Sequence, residues 1–123
     1  MIRGYEDLEV YRESYNLVLK MYEITRKYPA EEKYNLISQL RRSSMSIVLN
    51  IVEGYGRKDS AKEFQHFLRN AIGSSNETRV LIKISRDLGY IEEVEYKKLE
   101  EKYEMLSKKV YRLKESWKDK FDI

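Results

Sequence analysis

Ser43, Ser44, Met45, Ser46, Ile47, Val48, Leu49, Asn50, Ile51 and Val52 are ten consecutive residues without a charge, in a chain that is 37% charged. An α-helix turns once every ~3.6 residues, so the run circles the axis roughly three times and leaves no face suited to water. A helix that is apolar all round has to be surrounded. A chain of 123 residues covers it only partly with one small bundle. More copies of the same chain are the simplest cover, and the expectation is an all-α protein that forms an obligate or near-obligate homo-oligomer.

Outward from this run, the breaks are set by a single proline and a few glycines. Pro29 ends a first helix, because proline restricts the residue before it and cannot continue the hydrogen-bond ladder. Gly54 and Gly56 bracket a loop that runs through Tyr55, Arg57, Lys58 and Asp59. Ser60, with Glu63 three residues later, is a capping box that opens a third helix. Gly89 stops that helix as a left-handed C-terminal residue. Glu92, Glu93 and Glu95 then put acid in a first turn, and Lys118 and Lys120 put base in a last turn. The spacing predicts helices over roughly 6–28, 30–54, 60–88 and 92–120. Their short connections predict antiparallel neighbours in an up-down-up-down four-helix bundle, one domain over residues 1–123.

The first helix carries two apolar stripes. Leu8, Tyr11, Tyr15, Val18 and Tyr22 form one; Val10, Leu17, Met21, Ile24 and Tyr28 form the other, with Ser14 inside it. At ~100° per residue the apolar arc spans about 200°, wider than a surface helix of a monomer needs. The excess is a second pointer to contact between subunits. The fourth helix instead has one coiled-coil-like seam: Tyr96, Leu99, Tyr103, Leu106, Val110, Leu113 and Trp117. Its other faces are charged, with a basic excess from Lys102 to Lys120 that reads as a solvated face suited to the helix dipole.

Composition narrows the function. There are 24 basic and 21 acidic residues for a net charge of +3, which permits a nucleic-acid partner without arguing for one. The absence of cysteine rules out disulfides and thiolate metal sites. No apolar stretch is long enough for a membrane span. Glu6, Asp7 and Glu9 break the layout of a secretory signal, so a cytoplasmic protein is expected.

A polar stripe interrupts the buried region. Ser46, Asn50 and Gly54 are four apart and share one face of the second helix, with Glu53 beside them. Gly73, Ser74 and Glu77, together with His66 and Asn70, offer matching groups on the third. Gly54 and Gly73 would allow close approach. Glu53 and Glu77 would need partners such as Arg42 and Arg57, because a buried carboxylate left alone costs several kcal/mol. One reading is a ligand site. The other, preferred here, is a structural network that fixes helix register and oligomer geometry.

Glu63 and His66 have the Glu-x-x-His spacing of carboxylate-bridged metal bundles. Such sites need the pair twice, the chain has one histidine, and Glu63 already belongs to the capping box, so no metal or other cofactor is expected. Gly54-Tyr55-Gly56 lacks the context of a nucleotide loop, and no serine or threonine has a recognisable base beside it. Catalysis is not expected. Two basic clusters remain, Arg41-Arg42 before the uncharged run and Arg57-Lys58 after it. A ring of copies would repeat each cluster, and Tyr34 and Tyr55 could stack on unpaired bases. The competing reading pairs Arg41 and Arg42 with glutamates across a subunit boundary. Both stand.

The whole pattern resembles one family. It is carried by Leu8-Glu9-Val10-Tyr11, Tyr28-Pro29 with Glu32, Tyr34 and Leu36, and Gln39-Leu40-Arg41-Arg42-Ser43. It continues in Ser46-Ile47, in Asn50-Ile51-x-Glu53-Gly54-x-x-Arg57, in Phe67-Leu68, in Gly73-Ser74-x-x-Glu77 and in Leu88-Gly89-Tyr90. These segments are similar to the four-helix-bundle proteins associated with intervening sequences of 23S ribosomal RNA. The resemblance implies a left-handed bundle assembled as a homopentamer in bacteria, with a link to ribosomal RNA that is mostly one of genetic location. Similar bundles serve as accessory proteins of reverse transcriptases and engage nucleic acid and the polymerase through basic surfaces. It thus implies structured RNA or single-stranded nucleic acid, or a polymerase, as partners. The chain departs from that pattern at Val48, where proline is common, at Val52, where a small residue is usual, and at Glu92, where serine often caps the last helix.

Overall fold

A computed structural model of the chain describes residues 1–119, in which four α-helices and two short 3-10 turns hold all the regular structure. The helices are α1 (Glu9–Thr25), α2 (Leu36–Tyr55), α3 (Ala61–Asp87) and α4 (Glu93–Ser116); the turns are Tyr5–Asp7 and Ala30–Glu32. No helix among the described residues is long and apolar enough to cross a membrane.

Four boundaries differ by three residues or more from those read in the sequence, one of them the end of α1, which lies at Thr25 rather than 28. α1 starts at Glu9 rather than 6, because the Asp7 carboxylate accepts the Arg3 N–H at 2.7 Å and Leu8 is extended. α2 starts at Leu36 rather than 30. Glu32 is occupied elsewhere: its carboxylate accepts the Tyr90 hydroxyl at 2.8 Å and the Asn35 amide at 3.4 Å. Ala30–Glu32 is therefore a single tight turn, and the chain re-enters a helix only after Asn35. α4 ends at Ser116 rather than 120, and Lys120 lies outside the described residues.

The punctuation of α3 follows the sequence. Ser60 Oγ accepts the Glu63 N–H at 3.2 Å. Gly89 has φ +84°, and the Tyr90 and Gly89 amides return to the Ser85 and Arg86 carbonyls at 2.9 Å each. That pair of bonds is a Schellman ending, which needs a residue free of the left-handed penalty at Gly89. At α4, Glu92 makes no side-chain cap bond.

The core is built from Met21 of α1, Leu40, Ile47 and Ile51 of α2, Phe64, Leu68, Ala71 and Ile82 of α3, and Tyr103, Leu106 and Val110 of α4. Of the two stripes on α1, the one through Val10, Ser14, Leu17, Met21, Ile24 and Tyr28 is buried. In the other only Leu8 is buried, and Tyr15 keeps 47% of its surface. The α4 seam is buried from Leu99 to Val110. α2 packs most extensively on α3, while α1 and α4 touch much less. Side chains that meet across α2 and α3 count in opposite directions: Arg42 with Glu77, Ser46 with Ser74, Gly54 with Phe67.

The uncharged run of α2 is only partly covered. Ser43, Ser44, Ile47, Val48 and Ile51 are buried, but Met45 and Leu49 are 37% and 58% exposed. One copy thus leaves part of this helix open.

Candidate nucleic-acid interface

The polar stripe divides into separate pieces. Ser46 and Ser74 share a hydrogen bond of 2.8 Å between α2 and α3, and the Asn50 amide donates to the Ser46 carbonyl at 2.8 Å. Glu53 is not in that group; it lies on the loop side, where its carboxylate takes Arg57 at 3.1 Å. Glu77 is paired with Arg42 at the other end of the stripe. The network expected to run through all of these residues is therefore a small hydroxyl–amide centre flanked by two exposed ion pairs.

The two glycines also part. A β-carbon at Gly54 would collide with Phe67 and Phe64, whereas at Gly73 it would meet nothing within 4 Å. Gly54 permits close approach within the chain. Gly73 does not, because it sits on the exposed side of α3.

Two further hydroxyl pairs join helices at positions not proposed as part of the polar stripe. Thr78 Oγ1 donates to Ser43 Oγ at 2.8 Å, with both residues fully buried. Ser107 Oγ donates to Ser75 Oγ at 2.7 Å, joining α4 to α3. The signal was present as small hydroxyl residues at core spacing, Ser75, Thr78 and Ser85 among Phe64, Leu68, Ala71 and Ile82. It was hidden because serine and threonine are mostly surface residues.

Arg41, Arg42, Arg57 and Lys58 are not brought together. Sixteen residues separate Arg41 from Arg57, which is about 24 Å of helix at ~1.5 Å per residue. Arg41 turns toward α1: its Nε donates to Thr25 Oγ1 at 2.9 Å, and its guanidinium lies 4.3 Å from the Tyr22 ring centre. Arg42 pairs with Glu77 inside the same chain. Arg57 reaches both Glu53 and Glu63, at 3.1 and 3.5 Å. Its hydrogen bond to Glu53 is the main cause that holds its pKa above the ordinary arginine value. Lys58 has no acidic partner among the described residues and lies 4.5 Å from the Tyr55 ring centre. Tyr55 is buried and T-stacked on Phe64, so it is closed to a base; Tyr34 is 87% exposed.

Beyond the loop, Lys62, Arg69 and Lys83 follow along the outer side of α3, all exposed and without an acidic partner among the described residues. Seven residues separate Lys62 from Arg69, two helical turns or about 10.5 Å. Lys58, Lys62 and Arg69 are the cations with charge to spare near the α2–α3 connection, and only the first was singled out in the sequence.

Glu63 and His66 do not converge on a common point. Glu63 goes to Arg57, while His66 Nε2 lies 3.5 Å from the Asn70 amide nitrogen. Among the described residues no three histidine, aspartate or glutamate side chains gather in a group that could hold a metal ion. A groove of about 520 Å³ lies between α1 and α4, with Leu17, Leu19 and Met105 against Glu13, Lys20 and Lys102. Its charges are mixed and include no nucleophile with a base.

Comparison with known proteins adds the family. A solved crystal structure from Bacteroides thetaiotaomicron, described as a protein with unknown function from the S23 ribosomal protein family, superimposes with a TM-score of 0.78. It is 21% identical, and the match covers 87% of this chain and 96% of that one, which establishes the shared fold. No curated protein matches the chain. The sequence model of one family, the 23S rRNA-intervening sequence proteins, matches residues 6–112. With that match over nearly the whole chain, and the four helices in place, the chain belongs to the 23S rRNA-intervening sequence protein family.

Proposed function

We propose that this chain is a subunit of a non-enzymatic, self-assembled helical bundle that binds RNA or single-stranded nucleic acid on repeated cationic patches. In this reading the four helices form an up-down-up-down, left-handed bundle, consistent with the opposed numbering of contacts between α2 and α3. The protein works in the cytoplasm of a bacterium, where a chain without cysteine is at no disadvantage.

Self-assembly is supported by two separate apolar patches. Tyr15, Leu19, Met45 and Leu49 stand exposed on α1 and α2, and Val80, Ile84 and Leu88 on α3. Two different patches on one chain suit head-to-tail contacts, which close into rings when the rotation allows. A homopentamer is such a ring. Sedimentation of the purified protein at micromolar concentration should show a single oligomer, and Leu49→Glu should dissociate it. A well-folded monomer of the unmodified chain would remove the assembly.

The observation that carries nucleic-acid binding is the run of Lys58, Lys62 and Arg69 without acidic partners among the described residues. Phosphate contacts act additively, each steepening the salt dependence by about 0.7–0.9 in log–log slope, and a ring would repeat the run in every subunit. Arg42 and Arg57 contribute less, because carboxylates already hold them. Filter binding of a single-stranded RNA at two ionic strengths tests this. Retention should fall steeply with salt, and Lys58→Ala or Lys62→Ala should flatten the slope more than Arg42→Ala. No retention at low salt would refute it.

A further inference from the structure

The chain leaves α4 at Ser116 and folds back across the connection between α2 and α3. Trp117 is extended, with φ −80° and ψ 124°, so the helix stops there without a glycine or proline. Its indole Nε1 donates to the Lys58 carbonyl at 3.0 Å, and its ring meets Phe64 edge-on with centres 4.8 Å apart. The Gln65 amide donates to the carbonyls of Lys114 and Trp117 at 3.2 and 3.1 Å, which secures the turn of the tail from the α3 side. Two residues on, Asp119 Oδ1 accepts the Ala61 N–H at the first turn of α3. A carboxylate at that position satisfies an amide the helix cannot satisfy and meets the positive end of its dipole.

These contacts grip the loop on both sides. Lys58 stands before the turn and Ala61 after it, and the tail holds one by its carbonyl and the other by its amide. Between them, Ser60 accepts the Glu63 amide, and Glu63 in turn reaches Arg57. The family match ends at residue 112, so the residues that do the gripping, Trp117 and Asp119, lie beyond it.

We infer that Trp117–Asp119 is a releasable strap, which clamps the α2–α3 connection and sets the position from which Arg57 and Lys58 are presented. Its parts are suited to release. The bonds are few, they sit at the end of a helix, and the anchoring ring is only half-buried rather than sealed in the core. When the strap is closed, the loop backbone is fixed and Arg57 stays against Glu53 and Glu63. When it opens, the Lys58 carbonyl and the Ala61 amide return to solvent and the loop gains freedom to follow a partner.

The test contains no nucleic acid, so its outcome is independent of the binding reading. Trp117 is the only tryptophan in the chain, and its fluorescence reports the strap directly. In the full-length protein, acrylamide should quench Trp117 less than half as readily as it quenches a free tryptophan amide. The double variant Gln65→Leu with Asp119→Ala, which leaves the indole in place and removes the acceptor of the Ala61 amide, should shift the emission to the red and raise quenching. Amide exchange at residues 58–62 should accelerate by roughly tenfold, as expected for loss of one or two hydrogen bonds, while residues 75–82 of α3 keep their protection. Trp117→Phe, which keeps the ring and loses the donor, should fall between the two. An indole in the unmodified protein quenched like the free amide would overturn the strap, and so would unchanged exchange at 58–62 in the double variant.

Discussion

Gly54 of α2 lies against Phe67 of α3 so closely that a β-carbon on residue 54 would stand 2.8 Å from the Phe67 Cβ. The obstructing atom is fixed to the α3 backbone, so no rotamer change relieves the clash and the helices have to separate. Gly54→Ala should therefore destabilise the protein by about 1–3 kcal/mol, although alanine favours the helix. Gly73→Ala should do the opposite and stabilise by about 0.5–1 kcal/mol, since its new methyl meets open space. Urea unfolding of the two variants checks this, and equal effects would show that the helices do not depend on Gly54 for their approach. Should a second copy rest on Gly73, the same variant would weaken assembly while the subunit gains stability.

The Thr78–Ser43 bond ties α2 to α3 in the core. Both hydroxyls are buried; Thr78 Oγ1 also reaches the Ser74 carbonyl at 2.8 Å and Ser43 Oγ the Leu40 carbonyl at 3.4 Å, so the bond between them is the part that joins the two helices. Thr78→Val keeps the shape and removes the hydroxyl, and should cost about 1–2 kcal/mol. Ser43→Ala added to it should cost less than it does alone, with a coupling of about 1 kcal/mol, because the partner has already gone. Strictly additive costs in a double-mutant cycle would mean that the two hydroxyls do not interact.

Tyr103 is fully buried, and its hydroxyl has no hydrogen-bond partner among the described residues. Burial pushes its pKa far above the usual phenol range. The folded state thus holds this proton more tightly than the unfolded chain, where the ordinary value is 10.0. The native state is fully favoured below that value, and stability drains away as pH rises above it, because only the unfolded chain ionises. Tyr103→Phe should raise stability by about 1 kcal/mol at neutral pH by removing the orphaned hydroxyl. It should also flatten the alkaline loss seen in thermal unfolding. A lower melting temperature in the variant would reveal a partner for that hydroxyl.

Lys109 of α4 holds Glu9 and Glu13 of α1, each at 2.6 Å, across the weakest helix pair of the bundle. Its hydrogen bond to Glu9 keeps that carboxyl below its ordinary 4.5, while Glu13 first and Glu9 second keep Lys109 above its ordinary 10.5. The contribution of Glu9 is present above the ordinary carboxyl value and disappears as pH falls through the lowered one. That of Lys109 is present below 10.5 and disappears above the raised value. Melting temperature should hold steady between these limits and decline on both sides. Glu9→Gln should make the acid-side decline shallower, and an unchanged acid limb would show that Glu9 carries none of it. Salt should weaken the Glu9 contact more than the Glu13 one, because Glu9 is the more exposed of the two.

Legibility in the sequence was uneven in a way these residues explain. Ser60 and Gly89 were readable because a cap and a left-handed ending are chosen by one residue and its immediate neighbours. The start of α2 was not, since it depends on Tyr90, 58 residues away, taking the Glu32 carboxylate. Among the basic clusters, sequence showed where charge lies and showed only in part where it is cancelled. For Glu77 and Glu53 the sequence offered Arg42 and Arg57 as partners, and the fold pairs them that way, but the turn of Arg41 toward Thr25 and Tyr22 of α1 had no local signal. Lys62 and Arg69 were passed over for the converse reason: their surroundings in sequence are ordinary, and only the fold shows that no acid among the described residues reaches them.

By itself, then, the order of residues determined four helices, their main stops, the single seam of α4 and membership of a family. The helices, stops and seam rest on periodicity and on backbone preferences that act within a few residues, and the family rests on the match of its residues over 6–112. Tertiary structure alone decided which of the two stripes of α1 turns inward, that Gly54 and not Gly73 carries the close approach, and which cations keep their charge. These depend on side chains from distant segments competing for one place, and that competition is settled only when the helices pack.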